Sequence, residues 1–182
     1  SLNSNRNAAG LYLEGLSGGA TVQYNGIYLR IPGSQDPLTT YGLYAKSSSK
    51  LVIDHNRISN PGITSDGNFH NAYLTATSNT SFTYNDVHSD GEGMTTATLL
   101  TLDSASTGVQ VKNNIFSSNI DVTGASSSAT ISVSADSQAG FVADYNNYFS
   151  SHGANTAVWG AQAYSLLSGW QSASGQDANS IS

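Results

Sequence analysis

Short runs of this chain alternate apolar and polar residues with a period of two, and five times the alternation closes on one signature. The pattern apolar-x-apolar-x-(Tyr/His/Asn)-Asn-x-apolar recurs around Asn25, Asn56, Asn85, Asn114 and Asn146, in segments 20–27, 51–58, 80–87, 109–116 and 141–148. Successive asparagines are 31, 29, 29 and 32 residues apart, a period at which self-similarity marks stacked structural repeats. Period two is the mark of a strand with one buried face.

A second alternating segment precedes the signature in every repeat: Leu11-Tyr-Leu13, Leu43-Tyr-Ala45, Ala72-Tyr-Leu74, Leu100-Thr-Leu102 and Ile131-Ser-Val133. A third follows the asparagine, clearest in Ile27-Tyr-Leu-Arg-Ile31. Three short strands per repeat, with no helical period between them, predict an all-β parallel solenoid whose like strands stack at ~4.8 Å. A sandwich would instead need hairpin turns every 8–12 residues. Asparagine suits a tight bend because it tolerates the left-handed backbone region. Its amide both donates and accepts, so stacked copies can bond from coil to coil and satisfy backbone groups hidden from water. The expectation is five to six rungs with an internal asparagine ladder.

With that ladder the chain resembles right-handed parallel β-helix proteins of the pectate-lyase-like superfamily, and the resemblance extends over nearly its whole length. The tail, Trp159…Tyr164-Ser-Leu-Leu-Ser-Gly-Trp-Gln171…Gly175-Gln-Asp-Ala-Asn-Ser-Ile181, is similar to the C-terminal part of secreted bacterial β-helix-repeat proteins. In such relatives more sequence usually follows, so the resemblance implies a piece of a larger protein placed outside the cell or on its surface. Residues 1–158 are expected to form the rungs and 159–182 to pack on the last of them. Within the tail, residues 165–170 read as a short helix with Leu166, Leu167 and Trp170 on one side and Gly175 as its stop signal. Trp159 and Trp170 read as packing anchors. The superfamily holds lyases, hydrolases, epimerases and non-catalytic surface proteins, so the fold alone does not name a chemistry.

Composition narrows the classes. Of 182 residues only six are Lys or Arg, and the formal net charge is −6, which argues against a nucleic-acid partner. No apolar run is long enough to span a membrane. Without cysteine there is no disulfide framework or thiolate metal site. Abundant Ser, Asn, Thr and Gly suggest a disordered linker until the regular spacing of β-branched and aromatic residues is noticed.

Stacking turns repeat positions into surface columns. Tyr12, Tyr44 and Tyr73 continue into Thr101 and Ser132, and three such tyrosines form a candidate track for sugar rings. One step along lies the column Glu14, Lys46, Thr75, Asp103, Ser134, with Lys46 placed to pair with Glu14; Arg57 and Asp86 form a similar pair. Asp66 and His70, in segment 61–71, and Asp90 and Glu92, in segment 88–94, read as Gly-rich loops on adjacent rungs. Asp66, Asp90, Glu92 and Asp103 are weak candidate oxygen ligands for Ca²⁺, which takes six to eight, although Asp-Gly is first a turn signal. For β-elimination on a uronic-acid polymer, Lys46 or His70 would be the base, with a metal to neutralise the substrate carboxylate. No paired aspartates accompany Ser151-His-Gly153, and Asp36-Pro-Leu38 is not an epimerase-type Asp-Pro-His segment. The column Tyr24, His55, Tyr84, Asn113, Tyr145 is expected to point inward, making His55 a hydrogen-bonded core residue. The reading reached is a non-catalytic extracellular segment for structural presentation, adhesion or glycan binding, with no required cofactor. The alternatives are a polysaccharide lyase and a cargo or filament module packed on neighbouring domains.

Overall fold

The structure is a computed structural model describing residues 8–29, 39–64, 68–92, 96–121, 128–152 and 154–182. The first turn of chain comprises β1 (Ala8–Glu14), β2 (Thr21–Gln23) and β3 (Gly26–Tyr28). The second repeats it with β4 (Thr39–Lys46), β5 (Val52–Asp54) and β6 (Arg57–Thr64), and the third with β7 (Asn68–Thr75), β8 (Ser81–Thr83) and β9 (Asp86–Glu92). Then come β10 (Thr96–Asp103), β11 (Gln110–Lys112) and β12 (Ile115–Asp121), followed by β13 (Ala129–Val133), β14 (Val142–Asp144) and β15 (Asn147–Ser150). Like strands lie side by side: β1-β4-β7-β10-β13-β16, β2-β5-β8-β11-β14 and β3-β6-β9-β12-β15, with β16 at Asn155–Trp159. All these pairings are parallel. The molecule is an all-β parallel solenoid: these five sets of strands stack in four steps, about four turns, against the five to six rungs expected.

The asparagine ladder exists as a continuous file. The backbone N–H of Asn25 donates to Asn56 Oδ1 (3.0 Å), that of Asn56 to Asn85 Oδ1 (2.9 Å), that of Asn85 to Asn114 Oδ1 (2.9 Å) and that of Asn114 to Asn146 Oδ1 (3.0 Å). Each Nδ2 donates to the same Oδ1 at 3.0–3.2 Å. Asn56 through Asn146 are fully buried, so each amide supplies what water would otherwise supply.

The bend beside the ladder differs from the expectation. The left-handed residue is the one before each asparagine: Tyr24, His55, Tyr84, Asn113 and Tyr145 have φ between 52° and 58°. This bend reverses the alternation. Ile53 faces in and Asp54 outward; after the bend His55 is exposed while Asn56 points in. Strict period two carried through the bend had placed His55 in the core. Instead this column lines the outside of the corner.

A second polar file runs inside another corner. Ser48 Oγ accepts from the N–H of Leu16, Ser106 Oγ from that of Thr77 and Ser137 Oγ from that of Ser106, at 3.0–3.2 Å. Between the files the core is apolar, with Phe82, Phe116 and Tyr148 stacked near-parallel at centroid separations of 6.3 and 5.5 Å. Each stacked edge is therefore satisfied laterally while apolar side chains fill the middle.

At the C-terminal end β16 turns back on β17 (Gln162–Tyr164) in an antiparallel hairpin, and helix α1 (Leu167–Ser174) follows. Trp170 and Leu167 are buried, but Leu166 lies exposed at the helix start, because the helix begins one residue too late for it to share their face. Gly175, at φ 68°, ends the helix with its N–H on Gln171 O, as a left-handed cap does. Trp159, Trp170 and Phe141 form one edge-packed cluster with centroids 5.3–6.2 Å apart. Beyond the helix, Asp177 closes the ladder: its Oδ1 accepts from Asn146 Nδ2 (3.0 Å) and its Oδ2 from Trp170 Nε1 (2.7 Å).

Candidate functional site

The predicted tyrosine column lies on the outer face of the first sheet, in the predicted register: Tyr12 pairs with Tyr44, Tyr44 with Tyr73 and Tyr73 with Thr101. Two consecutive residues are buried in the middle of these strands, Gly42-Leu43 in β4 and Asn71-Ala72 in β7. The strand bends at that double step, and the outward side chains flanking it close on each other. A glycine is needed at 42, since a Cβ there would meet Asn71 O at 2.5 Å. The bend brings in a ring absent from the sequence-based column: Tyr41 stacks on Tyr44 at 4.7 Å with planes 17° apart. His70 sits equivalently to Tyr41, 5.6 Å from it and 4.9 Å from Tyr73. A spacing of three residues in both rungs, Tyr41/Tyr44 and His70/Tyr73, was the available signal; its meaning depended on the bend.

The result is a braced aromatic patch. Tyr12 meets Tyr44 at 5.2 Å and Tyr44 meets Tyr73 at 5.5 Å, with planes tilted by 47° and 59°. The rings of that column therefore interlock and do not form one flat surface. Tyr12 is 48% exposed and the other rings are half-buried. Its polar rim is internally paired. Tyr12 Oη donates to Glu14 Oε2 (2.7 Å), whose other oxygen lies 3.3 Å from Lys46 Nζ. Tyr73 Oη donates to Asp103 Oδ2 (2.6 Å), and His70 Nδ1 lies 2.9 Å from Thr101 Oγ1.

Burial, opposed by Asp103, lowers the His70 imidazole to about 4, so it is neutral near pH 7. Burial first, then the hydrogen bond to Asp103, pushes the Tyr73 hydroxyl up. The Tyr12 hydrogen bond, with Lys46 second, holds Glu14 below the usual carboxylate range. Chemically this is a sticky, hydroxyl-fringed surface. Lys46 is engaged by Glu14, and His70, lowered by burial, is a weak proton acceptor.

The calcium candidates are distributed differently from the loops expected. Asp90 lies within strand β9, not a turn, and its Oδ1 accepts from Asn119 Nδ2 (3.1 Å). The ladder of β9 with β12 continues through Gly91, so the Gly-containing stretch stays extended. Asp103 ends β10 in the first sheet, and Asp66 and the Glu92 side chain lie outside the described residues. Among the described residues no three His, Asp or Glu side chains gather as a metal-binding group. The second ion pair, Arg57 with Asp86 at 3.7 Å, is exposed on the third sheet. No helix among the described residues is long and apolar enough to cross a membrane.

The outward corner column is a second aromatic surface. Tyr24 and His55 lie 5.1 Å apart, and His55 and Tyr84 stack at 5.0 Å with planes 15° apart. Tyr24 is 76% exposed, Tyr84 54% and Tyr145 58%. Comparisons with protein families, with curated proteins and with solved structures find no match to this chain.

Proposed function

We propose that this chain is a non-catalytic, glycan-binding segment of an extracellular or cell-surface protein of the pectate-lyase-like kind that its ladder resembles. The observation that carries the reading is the braced aromatic patch of Tyr12, Tyr41, Tyr44, Tyr73 and His70 on the first sheet. Aromatic faces beside hydroxyl groups suit the apolar faces and hydroxyls of sugars. A solenoid holds such a patch on strands, without loop movement, which limits the ordering cost of binding. The same wall tells against catalysis, because Lys46 and His70 are each engaged by a neighbour.

A glycan array on the native chain and a Tyr44→Ala/Tyr73→Ala variant tests the reading. Saturable binding that weakens by about tenfold or more in the variant is the expected result, as for loss of aromatic anchors. Absence of binding to every glycan would overturn it. Incubation with pectate and alginate supplies the other arm: appearance of unsaturated uronyl products, abolished by EDTA, would establish a lyase instead.

A further inference from the structure

The first member of the ladder is less protected than the others. After each of the next three asparagines, and after Asn146's predecessor in the file, the following residue is tied down along its backbone: the N–H groups of Arg57, Asp86, Ile115 and Asn147 donate at 2.9 Å to the carbonyls of Asn25, Asn56, Asn85 and Asn114. Gly26 stands in register with Arg57, so its N–H points the same way. No strand lies there among the described residues, since β3 ends its sheet. Such edge donors meet solvent.

The Asn25 side chain is also less engaged. Its Nδ2 donates to Gln23 O (2.8 Å) and Asn56 Oδ1 (3.0 Å), while its Oδ1 accepts from no described residue. In Asn56, Asn85, Asn114 and Asn146, Nδ2 also reaches a carbonyl of the preceding rung, and Oδ1 accepts from the asparagine before. Those four residues are buried, whereas Asn25 and Gly26 are exposed. Asn25-Gly26 is also the one Asn-Gly pair in the sequence. Glycine leaves the backbone nitrogen unscreened by a Cβ and free to approach the side chain.

The geometry points to Asn25-Gly26 as a self-modification site, at which the ladder amide is converted through a cyclic imide to aspartate and isoaspartate. Hydroxide takes the Gly26 amide proton, and the nitrogen bonds to Asn25 Cγ. The Cγ–Nδ2 bond breaks, and Nδ2 leaves as ammonia with a proton from water. Water then opens the ring. Attack at Cγ leaves aspartate; attack at the main-chain carbonyl carbon leaves isoaspartate, whose backbone runs through the former side chain. One water is consumed and one ammonia released, with no change of oxidation state. Either product unlocks the first rung. A carboxylate brings only acceptors, and the partners of Asn25 Nδ2, Gln23 O and Asn56 Oδ1, are acceptors too. This chemistry does not depend on glycan binding.

Peptide mapping of the chain aged at several pH values, with fragmentation that separates isoaspartate from aspartate, tests the site. Conversion at Asn25 should run at least about tenfold faster than at Asn56, Asn85 or Asn114 and accelerate as pH rises. Gly26→Ala introduces a Cβ that meets only the Tyr28 ring, at 2.7 Å. That variant should slow the conversion at least about tenfold. Conversion no faster than in the buried asparagines, or indifferent to Gly26→Ala, overturns the site. Asn25→Asp tests the consequence by hydrogen exchange. Amides of β1 and β3 should exchange at least about tenfold faster, with those of β11 and β12 unchanged. An unaltered first rung, or protection lost equally throughout, overturns the unlocking.

Discussion

At the scale of the residue, the left-handed position before each ladder asparagine governs the fold. A non-glycine residue costs about 1–2 kcal/mol in that conformation, least for Asn, Asp and His. Yet it is occupied here by Tyr24, His55, Tyr84, Asn113 and Tyr145. The ring contacts along the column recover part of that cost. Two substitutions at His55 isolate the backbone contribution, because each removes the ring and its 2.7 Å contact with Asp54. His55→Val should be less stable than His55→Asn by about 1–2 kcal/mol in urea denaturation. Equal midpoints would show that the bend tolerates β-branching. This is also where sequence reasoning failed: alternation identifies faces only while the backbone stays extended, and one left-handed residue reverses every later assignment. The asparagines were legible because one residue type recurs in one context. The Ser48, Thr77, Ser106, Ser137 file is nearly as regular, but serine and threonine are so common in this chain that the spacing did not stand out.

Among the elements, the C-terminal segment explains how the ladder stops. Asp177 is buried and takes hydrogen bonds from Asn146 Nδ2, Trp170 Nε1 and Tyr148 Oη. The N–H of Asp177 donates to Ala143 O and that of Ile181 to Asn146 O, so the tail lies on the last turn as a partial rung. A sixth asparagine would fit less well: its NH₂ would face the indole N–H, which cannot accept. Asp177→Asn should therefore lower stability by about 1–3 kcal/mol, with the Trp170 fluorescence reporting the loosened contact. An unchanged denaturation midpoint would show that the tail does not depend on a carboxylate. The short helix and the packing role of both tryptophans were readable from the tail, as was Gly175 as stop signal. The carboxylate's place in the ladder was not, because nothing in Gly175-Gln-Asp-Ala-Asn179 repeats the asparagine signature.

For the whole molecule, the aromatic patch couples stability to pH. His70 is neutral when folded, lowered by burial to about 4, whereas the unfolded imidazole titrates at its ordinary 6.5. Between these values the unfolded chain binds the extra proton, so stability falls as pH drops from about 6.5 to about 4. The loss should be on the order of 2 kcal/mol after discounting for the solvent the ring still meets. His70→Gln should flatten that window, measured as midpoint against pH; an unchanged slope would assign it elsewhere. The register that brings Tyr73 and Asp103 to adjacent rungs was visible from the repeat. The side-by-side approach of Tyr41 and Tyr44 was not, since it requires the double inward step at Gly42-Leu43.

The asparagine file also has a direction. Every Oδ1 from Asn56 to Asn146 accepts from the preceding rung, and each Nδ2 from Asn25 to Asn114 donates to the following Oδ1, while those of Asn56 to Asn146 also donate to a backbone carbonyl of the preceding rung. The last donor of the file is Asn146 Nδ2, and there the chain has placed a side chain that brings only acceptors, Asp177. Asp177 thus ends the series on a group that leaves no further donor unmet.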